Sequence, residues 1–135
     1  MQDKIMYIPC TDATSANGTS LQGYIEDVTT QQLIEMFGEP LKGSADGKVT
    51  MEWVIETQIT TEDGDADYGV FTLYDWKGSA PDIDSTEWTI NVGGTSKRDL
   101  WNAQRAFELF EKTDIRYTSD IACLAQGTLH DLEVA

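Results

Sequence analysis

Val49-Thr50-Met51-Glu52-Trp53-Val54-Ile55-Glu56 is the stretch that decides the fold class. Val49, Met51, Trp53 and Ile55 alternate with Thr50, Glu52, Val54 and Glu56, and a period of two places the first set on one face of an extended strand and the second on the other. Downstream, the span Gly69 to Lys77 sets Phe71 and Leu73 against Val70, Tyr74 and Trp76. Both faces of that strand are apolar, which predicts a central position in a sheet. Trp88, Ile90 and Val92 then alternate with Glu87, Thr89 and Asn91 in a third strand. Polar loops join the three, and antiparallel pairing is the economical arrangement.

Working outward, Lys4 to Ile8 reads as a short strand stopped by Pro9, and Thr11 to Ser20 as a small polar loop. Ser20 to Ile25 is a further extended segment, with Gly23 marking a bulge or a close neighbour. Thr29 and Gln32 form a capping box, Val28 and Leu33 a hydrophobic staple, and Gly38 with Pro40 a stop, so Thr30 to Phe37 is predicted helical, burying Leu33, Ile34 and Phe37. Ser96 and Asp99 form a second capping box, after which Leu100, Ala103, Phe107 and Phe110 recur at helical spacing to about Lys112. A short helix is expected from about Asp120 to Gln126, capped by Ser119 and stopped by Gly127. The expectation is an α+β chain: a mainly antiparallel sheet of three to five strands covered by one short and one long helix. It forms a single acidic domain over residues 1–135, with an N-terminal strand and loop at 1–16 and a C-terminal extension at 113–135.

Charge narrows the partners. Asp and Glu number 24 against 9 Lys and Arg, a formal net charge of -15 with pI near 4.1. Such a field repels nucleic-acid phosphates and anionic lipids and attracts basic protein surfaces. Four Trp, five Tyr and four Phe argue for a folded body beneath the charge, because disordered chains are poor in aromatics. Cys10 and Cys123 share no metal-binding spacing, the N-terminus has no signal-peptide core, and no apolar run can span a bilayer. A cytoplasmic protein with free thiols, no metal and no cofactor is expected.

Two stretches stand out as candidate sites. Glu62, Asp63, Asp65, Asp67, Asp75, Asp82, Asp84 and Glu87 are opposed within their span only by Lys77. If both loops they occupy stand at one edge of the sheet, Glu62, Asp63, Asp65, Asp67, Asp82, Asp84 and Glu87 form a carboxylate patch for a basic partner. The first loop is not a calcium loop: counted from Asp63, the turn glycine falls at Tyr68 and the bidentate Glu at Tyr74. Asn91-Val92 lead into Gly93-Gly94-Thr95-Ser96-Lys97-Arg98, a strand-to-helix turn with cations in the first helical turn. Cations there oppose the helix dipole, and an anion such as a nucleotide phosphate on the free backbone N–H groups would offset the cost.

Catalysis has little support. His130 lies near the C-terminal end, and no GxSxG or HExxH motif is present. Trp53, Trp76 and Trp88 each follow an acidic residue on a predicted strand and are expected in the core. Asp75 shares a side with Phe71 and Leu73, so it needs partners if buried and is more cheaply placed at a rim.

The ordered string Asn17-Gly18-Thr19-Ser20-Leu21-Gln22-Gly23-Tyr24, Phe37-Gly38-Glu39-Pro40, Lys48-Val49 with Glu52-Trp53, Tyr74-Asp75-Trp76-Lys77, and Trp88 to Gly94 resembles a family of small uncharacterised proteins of tailed bacteriophages and bacterial mobile elements. The acidic loop near Asp63 and the tail after Lys112 depart from it. A looser likeness, a helix closed by Gly and Pro before antiparallel strands, is similar to half of a β-lactamase inhibitory protein. The resemblance and the charge together imply a small phage-type binding protein, without chemistry of its own, that engages a basic host or defence protein from the host cytoplasm. Nucleic-acid mimicry is the sharpest version of that expectation. The alternative is a binder of a small anionic ligand at Gly93 to Arg98.

Overall fold

The 49–56 alternation matures into strand β4 (Met51–Thr60), and its neighbours fall in line around it. The structure, a computed structural model, describes residues 3–44, 46–61, 63–113 and 133–134. In chain order these form β1 (Asp3–Pro9), a 3-10 turn (Thr14–Ala16), β2 (Ser20–Val28), α1 (Thr30–Phe37), β3 (Leu41–Lys42), β4, β5 (Ala66–Tyr74), β6 (Trp88–Gly94), α2 (Lys97–Thr113) and β7 (Glu133–Val134). The sheet order is β2-β6-β5-β4-β1-β7, with β3 also pairing β4, and each of these pairings is antiparallel.

The α+β class is as expected, but there are seven strands among the described residues rather than three to five. The extra ones, Leu41–Lys42 and Glu133–Val134, are too short to show a period. β5 lies centrally, between β4 and β6, as its two apolar faces require. It begins earlier than Gly69, because Asp67 and Tyr68 pair with Ile59 and Gln58. The helix expected at 120–126 lies outside the described residues.

One face of the sheet carries both helices. Ile5, Tyr7, Trp53, Ile55, Phe71, Leu73, Trp88, Ile90 and Val92 meet Leu33, Met36 and Phe37 of α1 and Ala103, Ala106, Phe107 and Phe110 of α2 in one buried cluster. Phe37 bridges the layers, standing edge-on to Phe71 at 6.1 Å and to Phe107 at 6.5 Å. Buried polar atoms here are used as ties. Tyr7 Oη donates to the Asn102 carbonyl at 3.0 Å, and Trp53 Nε1 to the Gly38 carbonyl at 2.8 Å. α1 follows its local signals: the Gln32 N–H donates to Thr29 Oγ1 at 3.0 Å, Val28 and Leu33 are buried, and Gly38 ends the helix with φ of 85°.

Among the described residues, the other face is covered only in part. β1 and β2 lie on either side of β4, β5 and β6, so the chain from Cys10 to Thr19 must cross three strands to connect them. It crosses opposite the helices as a strap. The Cys10 N–H donates to the Val54 carbonyl at 2.8 Å, and Ser15 Oγ to Glu56 Oε2 at 2.5 Å. Val54 and Thr72, which point away from the helices, are consequently buried.

Candidate functional site

The two acidic loops do not share an edge. β4 and β5 turn through residues 61–65 at one end of β5, and β5 and β6 connect through 75–87 at the other. β5 has nine residues, and at about 3.3 Å per residue its ends are about 30 Å apart. Asp63 and Asp65 therefore stand at one end and Asp82, Asp84 and Glu87 at the opposite one, all exposed. Asp67, on β5 itself, pairs with Arg98 Nη1 at 2.7 Å, and Glu62 lies outside the described residues. The expected single patch is thus two separate acidic poles. Among the described residues, none of Asp63, Asp65, Asp82, Asp84 and Glu87 is in an ion pair.

The Gly93 to Arg98 turn is assembled as expected, but several of its donors meet acceptors of the chain itself. Gly94 lacks the side chain that would collide with Asp99, and the Asp99 carboxylate packs into the space, fully buried. There Asp99 accepts from the Thr95 N–H at 2.7 Å and from Thr95 Oγ1 at 2.9 Å, which occupies the Thr95 donors of the turn. Lys97 Nζ donates to the Gln22 carbonyl, while Arg98 donates to Asp67 and, through Nη2 at 3.2 Å, to the Tyr68 carbonyl. Gly93 is buried beside Thr72 at the end of β6, and Thr95 and Ser96 are exposed.

The tryptophans divide. Trp53 and Trp88 are core residues, whereas Trp76 is 45% exposed, against expectation. The cause is Asp75 beside it. Asp75 is fully buried rather than at a rim, accepting from the Thr50 N–H at 2.7 Å, the Thr50 hydroxyl and the Met51 N–H at 3.2 Å. Those bonds tie the end of β5 to the start of β4 and turn the next side chain, Trp76, outward.

Trp76 belongs to a surface that the sequence reading did not assemble. Register places Tyr24, Asn91, Tyr74 and Glu52 in one row across β2, β6, β5 and β4 on the face opposite α1 and α2. A bulge between Leu21 and Gly23 lets Leu21 and Tyr24, three residues apart, share that face, while Gly23 turns inward against Leu100. Leu21, Tyr24, Tyr74, Trp76 and Asn91 enclose a shallow cavity of about 310 Å³. Leu21 is 49% exposed and Tyr24 55%. Burial, then the neighbouring Tyr24 and Glu52, push the Tyr74 phenol above its usual range, so it stays a neutral donor, and burial likewise raises the Glu52 carboxyl. The Lys48 and Lys77 ammonium groups lie 6.0 and 5.9 Å from the Trp76 ring centre. Lys77 is held at φ 51° in a tight turn, its N–H on the Lys48 carbonyl. The available signal was the i, i+2 pair Tyr74 and Trp76; the bulge concealed Tyr24 and Leu21.

Among the described residues no group of three or more His, Cys, Asp or Glu is placed to hold a metal ion, and no helix is long and apolar enough to cross a membrane. Cys123 and His130 lie outside them. No family model, curated protein or solved structure matches the chain, so neither likeness drawn from its motifs adds support to a reading of this site.

Proposed function

We propose that this chain is a binding protein that holds a basic partner protein against the aromatic patch of Leu21, Tyr24, Tyr74 and Trp76, while the two acidic poles draw the partner in. The observation that carries the reading is the clustering of three large side chains, each about half exposed, on the sheet face opposite α1 and α2. Tyr and Trp are the residue types that anchor protein interfaces, and a charged rim around them supplies orientation. Here the rim has both signs, Lys48 and Lys77 beside Trp76 and Glu52 beside Tyr74. The net charge of -15 steers a basic partner from a distance. We take the partner to be a host or defence protein, with mimicry of nucleic acid as the strongest form of the reading. A small anion at Gly93 to Arg98 has less support, because Asp99 already occupies the Thr95 donors.

Capture from bacterial lysate by the immobilised chain, at low and high salt, tests the reading. A basic protein is expected at low salt, with recovery falling steeply as salt rises. The double variant Tyr24→Ala, Trp76→Ala is expected to weaken capture about 30-fold. Capture that is indifferent to both changes would overturn it.

A further inference from the structure

Beyond the strap, on the same face opposite α1 and α2, lies a larger cavity of about 520 Å³ that the aromatic patch does not use. The register partners Thr57 and Gly69 form its floor, Ile8, Val70 and Tyr68 its apolar and aromatic walls, and Ser15 reaches in from the strap. Two charged residues line it, and their states differ. Arg98 is met through its two Nη atoms by the Asp67 carboxylate and the Tyr68 carbonyl, while its buried Nε has no partner. Among the described residues Glu56 has a neutral partner, the Ser15 hydroxyl at 2.5 Å, and pairs with no cation.

A carboxylate without a counter-charge, an open aromatic ring and apolar flanks in one cavity match a long aliphatic side chain ending in a positive charge. Ile8 and Val70 offer apolar surface to its methylenes, Glu56 a partner to its charged head, and Tyr68, 67% exposed, an aromatic ring in the same cavity. We infer that this cavity receives a lysine or arginine side chain of the basic partner, as a second anchor apart from the aromatic patch. The inference rests on the proposed binding of a basic protein and names the chemistry by which that protein is recognised. The repulsive field of the whole chain against anions favours the same occupant.

The test uses the full chain, isotope-labelled, titrated with N-acetyl-lysine methylamide and with the neutral norleucine analogue while backbone amide shifts are recorded. The lysine probe is expected to move Ser15, Glu56, Gln58 and Tyr68, and the neutral probe to leave them in place. Glu56→Gln is expected to weaken the lysine probe about fivefold. Tyr68→Ala is expected to weaken it about threefold, and both variants should melt at the temperature of the parent. Equal shifts from the two probes, shifts located elsewhere, or lysine affinity untouched by Glu56→Gln would each overturn the inference. None of those results bears on loss of capture in the Tyr24→Ala, Trp76→Ala variant, so the second anchor and the proposed function fail independently.

Discussion

Along β5 the inward positions Phe71 and Leu73 are fully buried, while the outward Tyr68 is 67% and Trp76, just past the strand end, 45% exposed. The side chains are of similar kinds, and their neighbours decide the outcome. The inward face meets two helices whose apolar stripes match it, whereas among the described residues the outward face meets the Cys10 to Thr19 strap. That strap is wide enough to bury Val54 and Thr72 but not the aromatics on either side of it. An apolar residue on a strand therefore reports that a face can be covered, and what lies over it separates a core from an interface.

The sharpest way to break this comparison is to truncate one side chain from each face. Phe71→Ala is expected to cost about 3 to 5 kcal/mol in denaturant unfolding, as a cavity opens between Tyr7 and Phe37. Trp76→Ala, of comparable size change, is expected to cost less than about 1 kcal/mol, because half of its surface is already in water. Equal losses would mean that the outer face is covered too.

Asp75 sits where the two faces part, and its effect is expected to be intermediate. Asp75→Ala leaves the Thr50 and Met51 N–H groups and the Thr50 hydroxyl without their carboxylate, a loss of about 2 to 3 kcal/mol by the same measurement. A loss below about 0.5 kcal/mol would show that water replaces the carboxylate freely.

The smallest effect belongs to the strap. Burial, then the charge of Glu56, raise the Cys10 thiol above its usual value, so the reactive thiolate is scarce at neutral pH and grows only as pH rises toward that raised value. With Cys123→Ser removing the other thiol, iodoacetamide should modify Cys10 more slowly than a free cysteine at pH 8. Glu56→Gln should speed the reaction about twofold by relieving the charge. An unchanged rate would place Glu56 away from the strap.

How much of this was legible depends on how local the signal is. α1 was readable to the residue, because Thr29, Val28, Leu33 and Gly38 all act within one turn of its ends. The alternation of β4 and β6 and the stripe on α2 were equally plain, being periodicities of single elements. The acidic poles were misplaced for a reason the sequence contains: two hairpins that share one strand must turn at its opposite ends. The carboxylates had been counted along the chain without following its reversal. Asp99 escaped because a cap and a buried plug look alike until Gly94 is seen beside it. The aromatic patch escaped because one inserted residue at Gln22 shifts Leu21 onto the side of Tyr24, which no strict alternation anticipates.

The same insertion has a separate consequence for β2, which forms one margin of the sheet. Its pairing slips between Leu21 and Gly23 and again between Ile25 and Val28, twice in nine residues. A neighbouring chain seeking to zip along that margin would lose step at each slip, so crowded solutions of the protein should resist growth into fibrils from this side.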